Sequence, residues 1–569
     1  MHFPTTEPRK SLYYNYQLYP HFHSITDLVS DEQTVTIVGA GPIGMTLALL
    51  LAKQGIKVIL LSSELQLSEG SRALVYTKRS MEILEAAGAA ERIMSKALPW
   101  THGNSIYKGQ VAFRMASPTS VHDQFAPLNN LQQNWLEHFL LESIHAEENI
   151  EVRWGNNVVD HSQDNDQVTL TVQTPEGEYK QTSKWVVATD GGRSAIRERM
   201  KLWMEGASYE GRFVIADIRI KLDYPTERLA FFSPDWNPGN TILMHREPDN
   251  IWRFDYQLDP EISPEEALKP ENLSKAVNDQ LKMIGQDHLE WEMDWSTVYS
   301  ARALTLDNYV HNRIIFAGDS AHLLPIFGVR GANTGFQDAQ DLSWKLAAVV
   351  NGWAPEKLLA SYTFDRVGAA REIIAEAGKS TRFMAPPTDG FRLLRNAVLS
   401  LSLEHEFVRP LYHWRTSRPH AYTHSPLNSQ FDDNAQMNQQ TENGALIPNV
   451  KLADNSFLYD SLTVKFSVVV LTENGQLPVG LRDEVTELKA TGIPLRIVAL
   501  AIDGQAVTDA EVSLSIIAEI AETRFFAGVG AIYLVRPDHH INGRWLNYRK
   551  NVLTQTFNQF IQLAEGVAA

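Results

Sequence analysis

The sequence predicts an α/β fold in which a parallel-sheet core is interrupted by a second, mostly antiparallel sheet and followed by a smaller α/β unit. Three observations carry that prediction. From Thr34 the chain reads strand, glycine turn, helix, strand, and alternating β and α segments continue to about residue 200. Between about Glu205 and Ser300 the apolar period falls to two, with Pro, Gly and Asn turns between segments. After Gly444 strand-like runs return in a stretch without a single cysteine.

Composition narrows the function. The 569 residues are 44% hydrophobic and 21% charged, the make-up of a globular protein, and about three domains follow at roughly 150 residues each. A formal charge of −17 argues against a broad phosphate-binding face and so against nucleic acid as a partner. Zero cysteines exclude disulfides, thiolate metal sites and thiol nucleophiles, so any redox chemistry has to be borrowed. His21 and His23, or His539 and His540, lack ligand partners at metal-site spacing, and no metal is expected. No segment approaches the ~18 consecutive apolar residues of a membrane span; Met45 to Ala52 reads as a buried helix. The amino terminus carries no secretory pattern, and a cytoplasmic location is the default expectation.

In chain order, residues 1–33 are expected to form an amino-terminal arm, either an irregular surface segment or a subunit contact. Residues 34–206 form the first part of the core. Residues 207–298 form the second sheet, with strands at Arg212–Ile220, Leu229–Ser233, Thr241–Arg246 and Ile251–Leu258. Residues 299–385 return to the core through the strand Arg313–Ala317 and a long helix, so the second sheet reads as an insertion. Residues 386–443 are polar and Pro-interrupted, helices fading into a linker. Residues 444–569 close the chain, with strands at Val464–Leu471, Ile497–Ile502 and Ala531–Arg536 and a helix at Leu514–Ala521.

The run Val35 to Gly44 is GxGxxG between a strand and a helix, the context of a dinucleotide fingerprint. Gly39 permits the tight turn, Gly41 lets backbone approach a pyrophosphate, and Gly44 allows close helix–strand packing. The second strand, Lys57 to Leu61, should end in an acidic residue for the ribose hydroxyls. Ser62 occupies that position and Glu64 follows two residues on, and either side chain suits the ribose. FAD and NAD both use this fold, so the fingerprint alone does not choose between them.

Two later segments choose. Val186 to Arg197, with Asp190-Gly191-Gly192-Arg193, and Arg313 to Pro325, with Gly318-Asp319-Ser320-Ala321-His322, are followed by Gly328 to Gly335. With the fingerprint, these ordered motifs closely resemble the single-component flavoprotein monooxygenases of the p-hydroxybenzoate hydroxylase fold. The resemblance is strongest to the phenol hydroxylase and 3-(3-hydroxyphenyl)propionate hydroxylase branch, whose chains end in a thioredoxin-like domain. It covers nearly everything from Thr34 onward. It implies a Rossmann-like FAD-binding domain, an inserted substrate sheet, a thioredoxin-like domain lacking cysteines, and a homodimer.

The resemblance also implies roles for single residues. Asp319 would accept hydrogen bonds from the ribityl hydroxyls, and Pro325 and Gly328 would shape the loop lying against the flavin ring. Gly331, Ala332 and Asn333 would aim their N–H groups at the N1–C2=O edge, a use of a helix amino terminus that physics supports. Arg330 would add a fixed positive charge there, with a solvated side chain or an ion pair to Asp338 as the alternative. Asp190 would fix the loop near the FAD pyrophosphate, Arg72 would lie by its phosphates, and Gln133 would contact the cofactor.

A chain without metals or thiols needs reduced flavin to activate O2. The resemblance implies reduction of FAD by NADH or NADPH, formation of a C4a-hydroperoxyflavin, and oxygen transfer to a small phenolic or other electron-rich aromatic substrate. Only one GxGxxG occurs, so NAD(P)H is expected to bind transiently without its own domain. Trp252, Phe254 and Tyr256 alternate onto one face and suit either an aromatic substrate wall or core packing against a helix. Arg246 suits a substrate carboxylate, and Tyr256 or His245 a phenolic proton.

Overall fold

The computed structural model describes the chain apart from residues 1–3, 25–27, 326, 413–415, 503, 505, 526–527 and 567–569. Parts of the expected arm, linker and carboxy-terminal unit therefore lie outside the described residues. The core opens with β1 (Leu28–Val38), α1 (Pro42–Ala52), β2 (Val58–Leu61), α2 (Lys78–Ala86), α3 (Gln133–His145), β3 (Ile150–Arg153) and β4 (Gly177–Ala188). The second sheet follows as β5 (Glu205–Arg219), β6 (Arg228–Phe232), β7 (Thr241–Arg246), β8 (Ile251–Gln257), α4 (Pro270–Met283) and β9 (Glu292–Thr305). The core resumes with β10 (Ile314–Phe316), α5 (Gly331–Val350) and α6 (Leu359–Met384).

In the first sheet β10, β4, β1, β2 and β3 lie side by side, all parallel. Val38 is level with Leu61 and with Ala188, and Ala188 with Phe316. The loops after these strands, which carry Gly39, Ser62, Asp190 and Asp319, therefore emerge together at the carboxyl edge, where open α/β sheets bind ligands. Helix α1 is buried from Gly44 to Ala52, apolar nearly all round because it is wedged between sheet and α5. The expected βα alternation breaks before residue 200: Asn157–Gln163 and Val168–Thr174 form an antiparallel meander on β4.

The second sheet is not a single insertion. Its eight strands run from His322–Leu323 through β9, β5, β8, β7 and β6 to His102–Tyr107 and Gln110–Ala116, so both of its edges come from the core segments. Its outer face, with Val214, Ile218, Trp252, Phe254 and Tyr256, packs with Leu273, Val277 and Leu281 of α4. Its inner face, with Phe213, Ala230, Phe232 and Leu243, packs with Phe327, Phe383 and Met384 and so faces the core.

The expected linker holds a helix, α7 (Asp389–Ser402), and its later part is pinned by Arg544, which donates to Asn434 Oδ1 at 2.7 Å and Thr441 Oγ1 at 2.8 Å. The last unit has β11 (Phe466–Thr472), α8 (Leu481–Ala490), β12 (Leu495–Ile502), β13 (Val512–Ile516), β14 (Ile532–Val535) and β15 (Ile541–Trp545). Strands β13, β12 and β11 are parallel, and β14 and β15 antiparallel. Of the expected helix at Leu514–Ala521 only Ala518–Ile520 is helical; the chain up to Ile516 is β13, because Val512, Leu514 and Ile516 alternate and pair with β12. A buried ionic cluster fastens this unit to α5: Trp344 donates to Asp538 at 3.0 Å, Arg536 to Asp341 at 3.1 Å, and Lys345 to Asp341 and Asp365 at 2.8 and 3.0 Å.

Candidate cofactor and substrate site

Gly39 lies at φ +112, and a Cβ there would sit 2.4 Å from the Thr189 carbonyl oxygen. One on Gly44 would sit 2.1 Å from the Gly39 oxygen. Both contacts are with backbone that cannot step aside, so neither position accepts a side chain. At Gly41 a Cβ would meet nothing within 4 Å: this peptide faces open space at the start of α1, which has no side-chain cap. First-turn N–H groups lack intrahelical acceptors, and here they are free to meet an anion.

At the end of β2, the Glu64 N–H donates to Ser62 Oγ at 3.3 Å, and the Glu64 carboxylate pairs with Arg9 at 3.2 Å. Arg9 belongs to the amino-terminal arm, whose Tyr14 and Tyr16 are buried against the core, so the arm is part of this wall. Sequence reasoning missed that, because Arg9 sits among polar residues with no periodicity.

Arg72 is exposed and makes no ion pair among the described residues, yet its charge reaches Asp319 and Glu137. Gln133 holds the Arg72 loop in place: its Oε1 accepts the Ala73 N–H at 3.1 Å, its Nε2 donates to Glu137 at 2.8 Å, and its own N–H donates to Ser71 Oγ at 3.1 Å. With both amide atoms engaged, Gln133 supports the loop first. Arg197 ties the neighbouring loops together, donating to the Ser320 and Gly192 carbonyls at 2.9 and 2.7 Å. Among the described residues it forms no ion pair.

Asp319 makes no hydrogen bond to described residues, and its side chain is accessible while protein crowds it from every side, as in a deep cleft. That crowding raises its carboxyl, with His322 and Arg72 pulling the other way. Asp190 is likewise raised by burial, and its Oδ1 is buried without a partner. Behind Asp319, Asp338 is fully buried and accepts from the Gly318 N–H at 3.0 Å, His322 Nε2 at 2.6 Å and Arg366 Nε at 2.6 Å. Against the upward pull of burial, His322 and then Arg366 hold its carboxyl below the usual range. This network fixes the Gly318–Asp319 turn.

Pro325 is buried, Gly328 takes φ +92, and Val329 takes φ +55, a strained value for a β-branched residue. Asn333 locks the strain in. Its Nδ2 donates to the Val329 and Val75 carbonyls at 2.6 and 2.9 Å, and its Oδ1 accepts from Ser80 Oγ at 2.6 Å and the Thr77 N–H at 2.9 Å. Only the backbone of Asn333, with that of Gly331 and Ala332, is left for a ligand. A Cβ on Gly331 would meet nothing within 4 Å, the condition found at Gly41. Arg330 is buried rather than solvated, its Nη1 donating to the Ile373 carbonyl on α6 at 3.4 Å, while Asp338 is held by Arg366 and His322.

Two bare helix starts, two glycines opening onto space, accessible Asp319 and exposed Arg72 fit FAD, with its anionic pyrophosphate, its polyol and its electron-accepting ring edge. A family model described as "FAD binding domain" matches residues 32–377. The chain belongs to this FAD binding domain family. Among curated relatives, 3-(3-hydroxy-phenyl)propionate/3-hydroxycinnamic acid hydroxylase of Comamonas testosteroni is 28% identical over 374 residues, 65% of this chain and 62% of the relative. The Mycolicibacterium smegmatis protein of the same name is 28% identical over 376 residues, 64% of each chain. The matched region thus spans less than two thirds of these relatives' length. Among solved structures, the flavin-dependent monooxygenase PieE, in complex with FAD and substrate, superposes with TM-score 0.78 at 18% identity, covering 94% of this chain and 99% of PieE. Aklavinone-11 hydroxylase, with FAD and aklavinone, gives 0.74 at 20%, covering 94% and 99%. The mixed α/β fold of this FAD-binding chain is therefore similar to that of FAD-dependent monooxygenases over 94% of its length.

The second sheet closes over the cofactor loops at two points. Arg253 on β8 donates to the Ser71 carbonyl and holds Asp217 bidentately at 2.8 Å. Phe213 on β5 packs edge-on to Phe327 at 5.1 Å, and Tyr299 donates to the Leu324 carbonyl at 3.3 Å. Tyr256 does not face the cofactor loops: with Trp252 and Phe254 it is buried against α4, and its ring meets Trp236 at 5.8 Å. The stripe is core. Arg246 shares that outer parity and donates to the Tyr224 carbonyl at 2.7 Å, which ties it to a surface loop rather than to the cleft. The inner face instead carries the interleaved Asp217, His245, Arg253 and Asp255, of which only His245 attracted notice in the sequence. A buried central strand that alternates aromatics with Arg253 and Asp255 was the available signal.

Proposed function

We propose that this protein is an FAD-dependent monooxygenase that hydroxylates a phenolic or other electron-rich aromatic compound, with NADH or NADPH as electron donor and O2 as oxidant. The observation that carries the reading is the apposition of the inner face of the second sheet to the Ser71–Arg72 and Leu324–Val329 loops. FAD, when bound, supplies electron storage and O2 activation. The chain supplies the rest: the amino terminus of α1 and Arg72 meet the pyrophosphate, Ser62 and Glu64 the ribose, Asp319 the polyol, and Gly331 to Asn333 backbone N–H groups the electron-rich ring edge. Pro325 and Phe327 press the loop against the sheet, and the sheet excludes water from the space between.

Several observations support the finer parts. Three parallel strands followed by an antiparallel hairpin support a thioredoxin-like carboxy-terminal unit; without cysteines it serves packing and contact. Exposed Leu393 and Leu394 on α7 support the homodimer. A second substrate reading, a fused-ring compound of the antibiotic type, is favoured by likeness to aklavinone-11 hydroxylase along 94% of the chain. The deciding experiment is a panel of monocyclic phenols, hydroxyaryl acids and fused-ring hydroxyquinones, scored for accelerated NADH or NADPH consumption and for oxygen gain by mass. A colourless protein that takes up no FAD, or an FAD-loaded one that adds oxygen to nothing in the panel, refutes the proposal.

A further inference from the structure

We propose that Asp255 is the group that receives the hydroxyl hydrogen of the aromatic substrate, holding the ring by that hydrogen bond and accepting its proton. The inference rests on the monooxygenase reading and deepens it by naming the residue and the substrate feature it reads.

Placement comes first. On β5 and β8 the paired rows run Phe213 with Gln257, Ile215 with Asp255, and Asp217 with Arg253. Paired residues share a face, so Asp255 points inward with Arg253. One row towards Arg253, the sheet touches the Arg72 loop through the bond to the Ser71 carbonyl. One row the other way, Phe213 touches Phe327 of the loop that follows Pro325. Asp255 thus lies about 7 Å along the strand from each contact, between the two loops assigned to the cofactor.

Its chemistry comes second. Asp255 is 6% exposed and its Oδ1 has no hydrogen-bond partner. Directly opposite it on the two neighbouring strands stand Ile215 and Leu243, neither of which brings a side-chain donor. A buried carboxyl without a donor is costly and calls for a ligand that brings one. His245, one row away on β7, is 5% exposed with its Nδ1 also unpartnered, and burial beside Arg228 and Arg253 keeps it neutral. Arg253 is already held by Asp217 and lies 3.5 Å from Glu247. Burial and the Asp217 charge raise the Asp255 carboxyl to about 7, with Arg253 opposing. A carboxyl in that range accepts a proton near neutral pH where an ordinary aspartate accepts none. The step is simple to balance: the aryl O–H bond breaks, its electron pair stays on the aryl oxygen, and the proton passes to a carboxylate oxygen of Asp255.

The test uses the full FAD-loaded chain and follows binding through the change a bound aromatic makes in the flavin absorption spectrum. Wild type is titrated from pH 5.5 to 9 with the phenols of the panel and with their O-methyl ethers. We expect phenols to bind more tightly as pH rises through about 7, and the ethers, which carry no hydrogen to donate, to bind at least tenfold more weakly with no such dependence. Asp255→Asn should flatten the phenol profile and bring phenols within about threefold of their ethers, while Asp255→Glu should restore part of the pH dependence. Equal binding of phenols and ethers by wild type, or an Asp255→Asn protein whose pH profile matches wild type, overturns the inference. The wild-type comparison stands even where a variant does not fold. Failure to load FAD at all falls on the monooxygenase reading, whereas an FAD-loaded protein indifferent to the hydroxyl falls on Asp255 alone.

Discussion

Replacing Asn333 by alanine should uncouple cofactor affinity from the fold. Its side chain accepts from the Thr77 N–H, Ser80 Oγ and Thr77 Oγ1 and donates to the Val75 and Val329 carbonyls. The two hydroxyls are 3.3 Å apart and satisfy each other when the amide is gone. That leaves one N–H and two carbonyls, each costing ~1–3 kcal/mol if it stays buried and unpaired. Without cofactor the loop can relax and let water reach them. On the proposed site, FAD binds with Val329 held at φ +55 and Gly331 in place, so the cost falls mainly on the bound state. If ~3 kcal/mol is paid there, FAD affinity drops about 100-fold. Fluorescence titration of apoprotein with FAD, beside thermal melts of apo- and holoprotein, reads the two effects separately. An affinity within about threefold of wild type, with equal loss of melting temperature in both forms, would refute the argument.

Gly44→Ala should abolish FAD uptake while leaving a folded carboxy-terminal unit, because its Cβ would stand 2.1 Å from the Gly39 carbonyl; flavin content after purification checks this. Asp338→Asn should destabilise the protein at pH 7 by ~3–5 kcal/mol, since Arg366 is left buried beside a neutral partner. The wild-type carboxyl is depressed in the folded state, so its contribution is present above the unfolded pKa of about 4 and is lost as pH falls through the folded value. Urea melts from pH 7 down to pH 3 should therefore show the two proteins converging at the acid end, and a gap that widens there would contradict the assignment. Arg246→Ala and Tyr256→Phe should leave the ratio of kcat/KM between acidic and neutral phenols within about twofold of wild type; selective loss of acidic substrates would return Arg246 to the cleft. Arg9→Ala should weaken FAD by less than about tenfold, since a partly exposed ion pair contributes ~1 kcal/mol or less.

What could be read in advance follows from what local chemistry forces. Gly39 and Gly44 leave no choice of residue, and period-2 runs such as Ile251–Gln257 can be little else than strands, so the turn and the second sheet were legible. The arm was not: Arg9, Tyr14 and Tyr16 acquire meaning only through contacts with residues more than 50 positions away. The strand at His102–Tyr107 was hidden for the same reason, because its partner on β6 lies far along the chain. Asn333 and Gln133 were legible as positions but not as devices. Each engages backbone of the Ala73–Thr77 stretch, far away in the chain, and only the assembled loops reveal that the helix start, not the amide, is what remains for a ligand.

The second sheet shows most clearly where pattern stops and packing begins. Alternation states that Trp252, Phe254 and Tyr256 face one way and Arg253 and Asp255 the other, but it is silent on which way the cleft lies. Helix α4 decides it, by covering the aromatic stripe with Leu273, Val277 and Leu281. An aromatic wall would have been an inviting choice for an aromatic substrate, yet apolar surface is what a covering helix needs. The opposite face meets polar loops and, on the proposed reading, a polar cofactor and a hydroxylated substrate, and there the chain places the Asp255 carboxyl and the His245 imidazole, each with a ring or carboxyl atom the sheet itself does not satisfy. Buried polar groups without partners are expensive for a fold and serve only when something else completes them. In a central strand of an eight-stranded sheet, Asp255 is therefore better evidence of a ligand than any of the three rings beside it.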